Sequence, residues 1–211
     1  MCHRSNNHDS IFDILYEEQT ICVTDTTLEL IIMTEIRDAD KLDLMNMDKE
    51  KLIDFLLLHI RNLWAVDGLY YLGIEKKFGT KEATHVDSEV WKAMASIEAR
   101  RLKKIFNLKQ GGIEGVIKAL SLTSWALDLE NKEITKRDKE SIFTNHVCRV
   151  QNTRISKGFD VFPCKSVRFG YLEQFAKEID AEVKVECIAC PPDKLPEGVW
   201  CSWKFTKSTS H

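Results

Sequence analysis

The chain has 211 residues and a mass of 24.4 kDa, enough for one domain with its own hydrophobic core. Hydrophobic residues make up 44% of it and charged residues 30%, which excludes a wholly disordered chain. The net charge of −3 argues against nucleic acid and anionic membranes as partners. The longest apolar stretch, Leu56–Trp64, contains polar residues, so we predict no membrane-spanning helix. The N-terminus lacks the apolar stretch of a secretory signal, and we therefore predict a cytoplasmic protein.

Charge and residue types change near residue 45. Residues 1–44 carry ten acidic and three basic side chains, whereas the rest of the chain has a net charge of +4. Every glycine, proline and tryptophan lies beyond this point. We therefore predict that residues 1–44 form an acidic, loosely ordered extension, with a short strand at Thr20–Val23. Residues 45–207 are predicted to form a single domain.

The first part of this domain has apolar residues at helical spacing. The pattern predicts a helix over Asp48–Phe78, with its first residue as the N-cap and Gly79 as the C′ residue. A second helix is predicted over Asp87–Asn107, again with the aspartate as N-cap. The glycine pair at 111–112 ends it, and a short helix over Ile113–Leu122 follows.

Beyond residue 124 the apolar period changes to that of strands. Pro163 opens one further helix, where its missing amide hydrogen is not needed. The predicted elements, in order, are strands at Trp125–Asn131 and Ser141–Gln151, a helix at Cys164–Ile179, and strands at Glu182–Ala189 and Val199–Phe205. The sequence thus predicts an α+β fold in which a helical N-terminal half packs on a small antiparallel sheet of about four strands, with a ββαββ C-terminal half.

The seven cysteines are the first candidates for chemistry. An odd number in a chain without a secretory signal indicates thiols, a metal or a cluster rather than a disulfide framework. Strand alternation places Cys187 and Cys201 on a common side, and Cys148 on another strand in phase with His146. The candidate metal ligands are the five cysteines of the sheet half, Cys148, Cys164, Cys187, Cys190 and Cys201. Three interpretations stay open: reduced thiols lining a pocket or the core, a bound zinc ion or iron–sulfur cluster, and a redox disulfide between Cys187 and Cys190, which lacks the usual strand–turn–helix setting of such a motif.

Three residues are candidates for catalysis. Cys164 begins a predicted helix, where free amides and the helix dipole favour a thiolate, so it is the candidate nucleophile. His146 is the candidate base, and Asp67, in a very apolar segment, is a candidate acid–base group with a raised pKa or a cationic partner. The alternatives are a buried cysteine and a hydrogen-bonded sheet histidine.

Asp67 also has a structural interpretation, which the sequence favours. Asp67 and Glu75 lie eight residues apart on one helix, and Arg100 or Arg101 on the next helix is the predicted cationic partner. An interhelical salt bridge is therefore the favoured alternative to a catalytic acid.

Residues 148–168 carry five basic side chains and one acid. Beside a helix N-terminus, this excess charge is suited to holding a carboxylate or a phosphate, although a solvated strand face has the same composition. We predict that Arg149 and Arg168 hold the anion and that Trp64 and Tyr71 contact the rest of the ligand. No Gly-rich phosphate loop is present.

Several segments together resemble an uncharacterised family of cytosolic proteins from anaerobic microbes. They are Leu63–Tyr70 with Ile74–Gly79, then Glu98–Leu102, then Phe162–Lys165 with Cys187–Asp193 and Trp200–Trp203. The resemblance spans about residues 47 to 205. The C-terminal half is also distantly similar to L-2-amino-thiazoline-4-carboxylic acid hydrolase-like proteins and to vinyl-reductase-type small-molecule-binding domains. The first similarity implies hydrolysis of a small cyclic carboxylic acid, and the second implies ligand sensing with cysteines that hold zinc.

These observations lead to two main functional hypotheses. The first is a small-molecule-binding domain with a cysteine-rich, metal- or cluster-binding site, whose ligand carries a carboxylate or another anion. The second is a hydrolase acting on a C–N bond of a small carboxylic acid. A structural or assembly protein without a ligand is the third alternative.

Overall fold

The computed structural model describes residues 38–108 and 111–207, and this part of the chain contains seven helices and four strands. The helices are α1 Asp38–Met45, α2 Lys49–Phe78, α3 Thr80–Ile105, α4 Gly112–Leu120, α5 Ser124–Asp128, α6 Arg149–Ser156 and α7 Cys164–Ile179. The strands are β1 Lys132–Arg137, β2 Glu140–Asn145, β3 Val183–Ala189 and β4 Cys201–Lys207. The predicted strand at Thr20–Val23 lies outside the described residues.

The described part of the chain divides into two compact units, with the boundary between Leu58 and His59. In the first unit, α1 is followed by the start of α2. There the Asp48 carboxylate accepts hydrogen bonds from the backbone N–H groups of Glu50 (2.9 Å) and Lys51 (3.3 Å). The predicted N-cap is confirmed, because this carboxylate satisfies amides that have no partner within the helix.

In the second unit, the turn between α2 and α3 differs from the prediction. Gly79 ends α2 with a positive φ of 88°, as predicted, but α3 begins immediately afterwards at Thr80. The Thr80 hydroxyl donates to a carboxylate oxygen of Glu75 on α2, at 3.0 Å. The prediction that α3 begins at Asp87 was therefore wrong. Asp87 lies two turns inside the helix, where its carboxylate is free for another role.

The positions of the first two predicted strands were also wrong. Trp125 lies in the helix α5, whose start is capped because the Thr123 hydroxyl accepts from the Ala126 amide at 3.2 Å. The first strand is instead the charged segment Lys132–Arg137, which lies at an edge of the sheet, where charged side chains are tolerated. The second strand ends at Asn145, and Cys148 is the N-cap residue of α6 rather than a strand residue.

The four strands form one antiparallel sheet in the order β1-β2-β4-β3. The predicted α+β class and strand number are confirmed, although α6 and α7 both lie between β2 and β3, which makes the C-terminal half ββααββ. The central strand β4 buries Trp203 and Phe205, and Trp203 pairs across the sheet with Phe143 of β2. α7 begins and ends as predicted and packs extensively against α3 and β3.

No helix within the described ranges 38–108 and 111–207 is both long enough and apolar enough to cross a membrane.

Candidate functional site

A cavity of about 380 Å³ lies within the second unit, between α2, α3, α5, α6 and α7. Its walls are mainly aromatic and apolar, and a few charged side chains and thiols converge on it. The aromatic lining residues are Trp64, Tyr71, Trp91, Trp125, Phe159 and Phe162. A mostly apolar cavity of this size with a few convergent polar groups is typical of a small-molecule site.

One wall is built by α2 and α3. Trp64, Asp67 and Tyr71 line the cavity because helical spacing places residues i, i+3 and i+7 on one face of α2. The Trp64 ring stacks on that of Trp91 of α3, with centroids 4.6 Å apart and planes 11° from parallel. The Trp91 indole N–H donates to the Asp67 carboxylate at 3.0 Å. These contacts fix the carboxylate beside the stacked rings.

Arg168 of α7 is the central cation of the cavity. Its side chain is buried, with 5% of the residue exposed, and its guanidinium lies over several aromatic rings. The distances from Cζ to the ring centroids are 4.5 Å to Trp125, 4.9 Å to Tyr171, 5.7 Å to Trp64 and 5.8 Å to Trp91. Within the described residues, its Nε and Nη1 atoms have no hydrogen-bond partner. The aromatic rings stabilise the charge, while the N–H groups of these two nitrogen atoms stay without an acceptor.

Arg149, at the start of α6, also lines the cavity. Its Nη2 atom donates to Asp128 at 2.8 Å, and its buried Nε atom has no partner among the described residues. The structure therefore brings together four of the predicted ligand-binding residues, Trp64, Tyr71, Arg149 and Arg168, around one cavity.

Three carboxyl groups line this site, Asp67, Asp87 and Asp128, and the last of these is paired with Arg149. Burial raises the pKa of Asp67, and the hydrogen bond from Trp91 and the charge of Arg168 partly oppose that shift. Burial, followed by the charge of Asp67, raises the pKa of Asp87 to about 7. Sequence reasoning missed Asp87, which it took for an N-cap. Its position one turn before Trp91 on the same face was the available signal.

Cys164 is the thiol of the cavity with the lowest pKa. A hydrogen bond with Cys190 and the nearby charge of Arg168 together outweigh burial and lower its pKa to about 7. Cys148 also lines the cavity, but burial raises the pKa of its thiol to about 11. The predicted nucleophile is thus placed at the cavity, beside a guanidinium that favours its thiolate.

The remaining cysteines lie near Cys164 without lining the cavity. Cys187 pairs with Trp203 across β3 and β4, and Cys201 is two residues before Trp203, so both cysteines face one side of the sheet, as predicted. The negative charge of the Cys164 thiolate raises the pKa of the other four thiols, Cys148, Cys187, Cys190 and Cys201. All five are free thiols, and no group of three or more His, Cys, Asp or Glu side chains within the described residues is arranged to hold a metal ion.

His146 lies away from this cavity. Its Nδ1 atom is 2.9 Å from the carbonyl oxygen of Gly198, and its Nε2 atom is 3.5 Å from a carboxylate oxygen of Glu133. The residue follows β2 and is not among those that line the cavity. The structure therefore does not bring His146 to Cys164, and Asp67 and Asp87 are among the carboxyl groups that line the cavity instead.

The ion pairs of α2 and α3 also differ from the prediction. Glu75 accepts two hydrogen bonds from Arg154 of α6, both at 2.9 Å, in addition to the one from the Thr80 hydroxyl. Arg100 instead lies 3.5 Å from Glu178 of α7. The predicted pairing of Glu75 or Asp67 with Arg100 or Arg101 was therefore wrong. Arg154 of α6 pairs with Glu75, and Arg168 of α7 is the cation whose charge acts on Asp67.

A family model described as "Family of unknown function (DUF6125)" matches residues 45–207 of the chain. Neither a curated protein nor a solved structure matches the chain. The comparisons therefore support the uncharacterised family. The two distant similarities and the anaerobic source stay predictions.

Proposed function

Since the chain belongs to this family of unknown function, we propose its function from the cavity: it binds a small molecule that carries a carboxylate or another anionic group. The observation that supports this proposal is the buried guanidinium of Arg168, whose Nε and Nη1 atoms have no partner among the described residues. A ligand anion would accept hydrogen bonds from these atoms. The apolar part of the ligand would contact the surrounding tryptophan rings.

The other two arginines of the cavity already have carboxylate partners, which supports Arg168 as the anion-binding group. Arg154 also lines the cavity, but its guanidinium is paired with Glu75 and its Nε atom donates to the carbonyl oxygen of Asp160 at 2.8 Å. Arg149 is paired with Asp128 through one nitrogen and keeps Nε for a ligand. Arg168 is therefore the primary anion-binding residue in this proposal, and Arg149 is the secondary one.

The test compares two matched probes by calorimetric titration, phenylacetate and its neutral analogue phenylacetamide. The carboxylate is expected to bind at least about tenfold more tightly, a difference of roughly 1.4 kcal/mol for one charge-assisted contact. Arg168→Met should remove this preference, whereas Arg137→Met, at an exposed site on β1, should keep it. Equal affinity for the two probes, or a preference that survives in Arg168→Met, contradicts the proposal.

A second candidate function, hydrolysis of a C–N bond in a small carboxylic acid, is favoured by one further observation. A thiol and a carboxyl group that both have a pKa of about 7, Cys164 and Asp87, flank the cavity of Arg168. In this mechanism the Cys164 thiolate attacks the electrophilic carbon, and Asp87 donates a proton to the departing nitrogen. A water molecule then adds to the carbon that is bound to sulfur and gives one proton to Asp87. The C–S bond breaks, which releases the product and restores the Cys164 thiolate.

This hydrolase candidate is tested with 2-amino-thiazoline-4-carboxylate as the substrate probe and with chromatographic detection of the ring-opened product. Cys164→Ser is expected to abolish turnover, and Asp87→Asn to lower kcat by about 100-fold, the usual contribution of a general acid. Cys187→Ser is the matched control, because Cys187 does not line the cavity. Turnover that survives in Cys164→Ser refutes this candidate while leaving the binding proposal intact.

The five free cysteines support a further part of the proposal, a reducing cytoplasmic location.

A further inference from the structure

Cys164 and Cys190 come from different elements, and their thiol groups are close enough for each to shift the pKa of the other. Cys164 is the first residue of α7, and Cys190 directly follows β3. The residue after each cysteine takes part in a backbone hydrogen bond, from the N–H of Lys165 to the carbonyl oxygen of Pro191, at 2.8 Å. This backbone bond holds the two segments that carry the cysteines side by side.

A second contact holds the same two segments. The Lys165 ammonium lies 2.6 Å from a carboxylate oxygen of Asp193, and the Asp193 N–H donates to the Cys190 carbonyl oxygen at 3.0 Å. The start of α7 is thus attached to the loop after β3 by one backbone bond and one ion pair. This placement brings Cys164 beside the segment that carries Cys190.

The two thiols have opposite environments. Cys164 lines the cavity and lies beside the Arg168 guanidinium, which stabilises a thiolate. Cys190 is fully buried, and its pKa is raised, first by the hydrogen bond with Cys164 and then by burial. Cys190 therefore keeps its proton and donates it to the Cys164 sulfur. Such a pair has one accessible nucleophile and one protonated partner directly beside it.

We propose that Cys164 and Cys190 form a peroxide-reactive pair, in which a hydroperoxide oxidises Cys164 and Cys190 resolves the product to a disulfide. The Cys164 thiolate attacks one peroxide oxygen, an S–O bond forms, the O–O bond breaks, and the leaving alkoxide takes a proton from water. Cys190 then attacks the sulfenic sulfur, the S–S bond forms, and the hydroxyl group leaves with the Cys190 proton as water. Two thiols lose two electrons in total, and one hydroperoxide becomes one alcohol and one water.

This pairing differs from the one that the local motif suggests. Cys187 and Cys190 form a Cys-x-x-Cys, but Cys187 faces the sheet side of Trp203, and burial raises the pKa of its thiol. Cys187 therefore lacks the stabilised thiolate that attack on a peroxide needs. The proposal goes beyond ligand binding, although it uses the Cys164 sulfur and the Arg168 cation of the same cavity.

The test treats the full, reduced chain with one equivalent of tert-butyl hydroperoxide, followed by rapid alkylation and non-reducing peptide mapping by mass spectrometry. To avoid reactions of the N-terminal thiols, the chain carries Cys2→Ser and Cys22→Ser. The expected product is a peptide pair linked between Cys164 and Cys190. Its rate of formation should exceed glutathione oxidation by at least about tenfold, since the Cys164 thiolate is stabilised.

Variants separate the two steps. Cys190→Ser should stop at a Cys164 sulfenic acid that dimedone traps, and the matched control Cys187→Ser should form the disulfide at the rate of the parent chain. A disulfide between Cys187 and Cys190, or oxidation of Cys164 no faster than that of glutathione, overturns the proposal. Both of these results are read from the chain without any cavity substitution, so misfolding of a variant does not affect the outcome.

Discussion

The ion pair between Glu75 and Arg154 connects α2 to α6 beside the cavity, and its substitution tests how that wall is stabilised. The side chains are 8% (Arg154) and 13% (Glu75) exposed, and two hydrogen bonds of 2.9 Å join them. The Arg154 guanidinium also lies over the rings of Tyr71 and Phe159, at 5.5 and 5.4 Å. Glu75→Gln removes the negative charge and leaves the buried guanidinium uncompensated.

The magnitude follows from this burial. Removing one partner of a buried ion pair costs about 3 to 5 kcal/mol, because the other charge stays buried without compensation. The glutamine carbonyl still accepts one hydrogen bond, so we expect the lower end, about 3 kcal/mol. With a urea m-value of about 2 kcal/mol/M, the unfolding midpoint should fall by about 1.5 M.

The matched control is a more exposed ion pair with a similar distance between nitrogen and oxygen. Arg137 and Glu140 lie 2.8 Å apart with side chains 64% and 27% exposed, so Glu140→Gln should cost less than about 1 kcal/mol. A loss in Glu75→Gln no larger than in this control refutes the argument that burial decides the strength of the pair.

The same pair has a defined pH dependence. The hydrogen bonds from Arg154 lower the pKa of Glu75 from 4.5, despite the opposing effect of burial. Because the folded pKa lies below the unfolded one, the carboxylate stabilises the fold above pH 4.5 and this contribution is lost as the pH falls through the folded pKa. The difference in unfolding free energy between the parent chain and Glu75→Gln should therefore shrink progressively below that pH.

Three further predictions concern the Cys164 thiol and the contacts of the Asp180 carboxylate. Alkylation of Cys164 by iodoacetamide, followed by peptide mapping, should rise with a midpoint at about pH 7, and Arg168→Met should move the midpoint upward because it removes a stabilising cation; an unchanged midpoint contradicts this. Asp180, whose pKa the hydrogen bond from Lys207 lowers to about 2, should stabilise the fold above its ordinary pKa of 3.8, so Asp180→Asn should lower Tm at neutral pH and converge with the parent chain near pH 2. Gly111→Ala should cost about 1 kcal/mol in a urea titration, because its Cβ would lie 2.9 Å from the Asp180 carboxylate; equal stability would show that this carboxylate moves freely.

Local sequence signals determined much of the fold. The Asp48 cap, the positive-φ Gly79 and the helix that begins after Pro163 all lie where their residue types predict them. These features depend on a few neighbouring residues, and the physics of helix ends acts over the same short distance. Strand alternation likewise placed Cys187 and Cys201 on one side of the sheet. It failed at Trp125, where alternating apolar residues belong to a short capped helix.

The tertiary structure decided which chemical groups meet. Sequence reasoning named Arg168 and Cys164, which both line the cavity, because a cation and a thiol at a helix start have a local rationale. It could not find Asp87 as a cavity residue or Cys190 as the partner of Cys164, since both depend on which faces of separate elements pack together. The pKa values of Cys164 and Asp87 follow from the same packing, because burial and neighbouring charges are properties of the folded chain. The sequence by itself therefore determined the elements and the kinds of side chain available for chemistry, and only the tertiary structure decided their pairing, their burial and their charge.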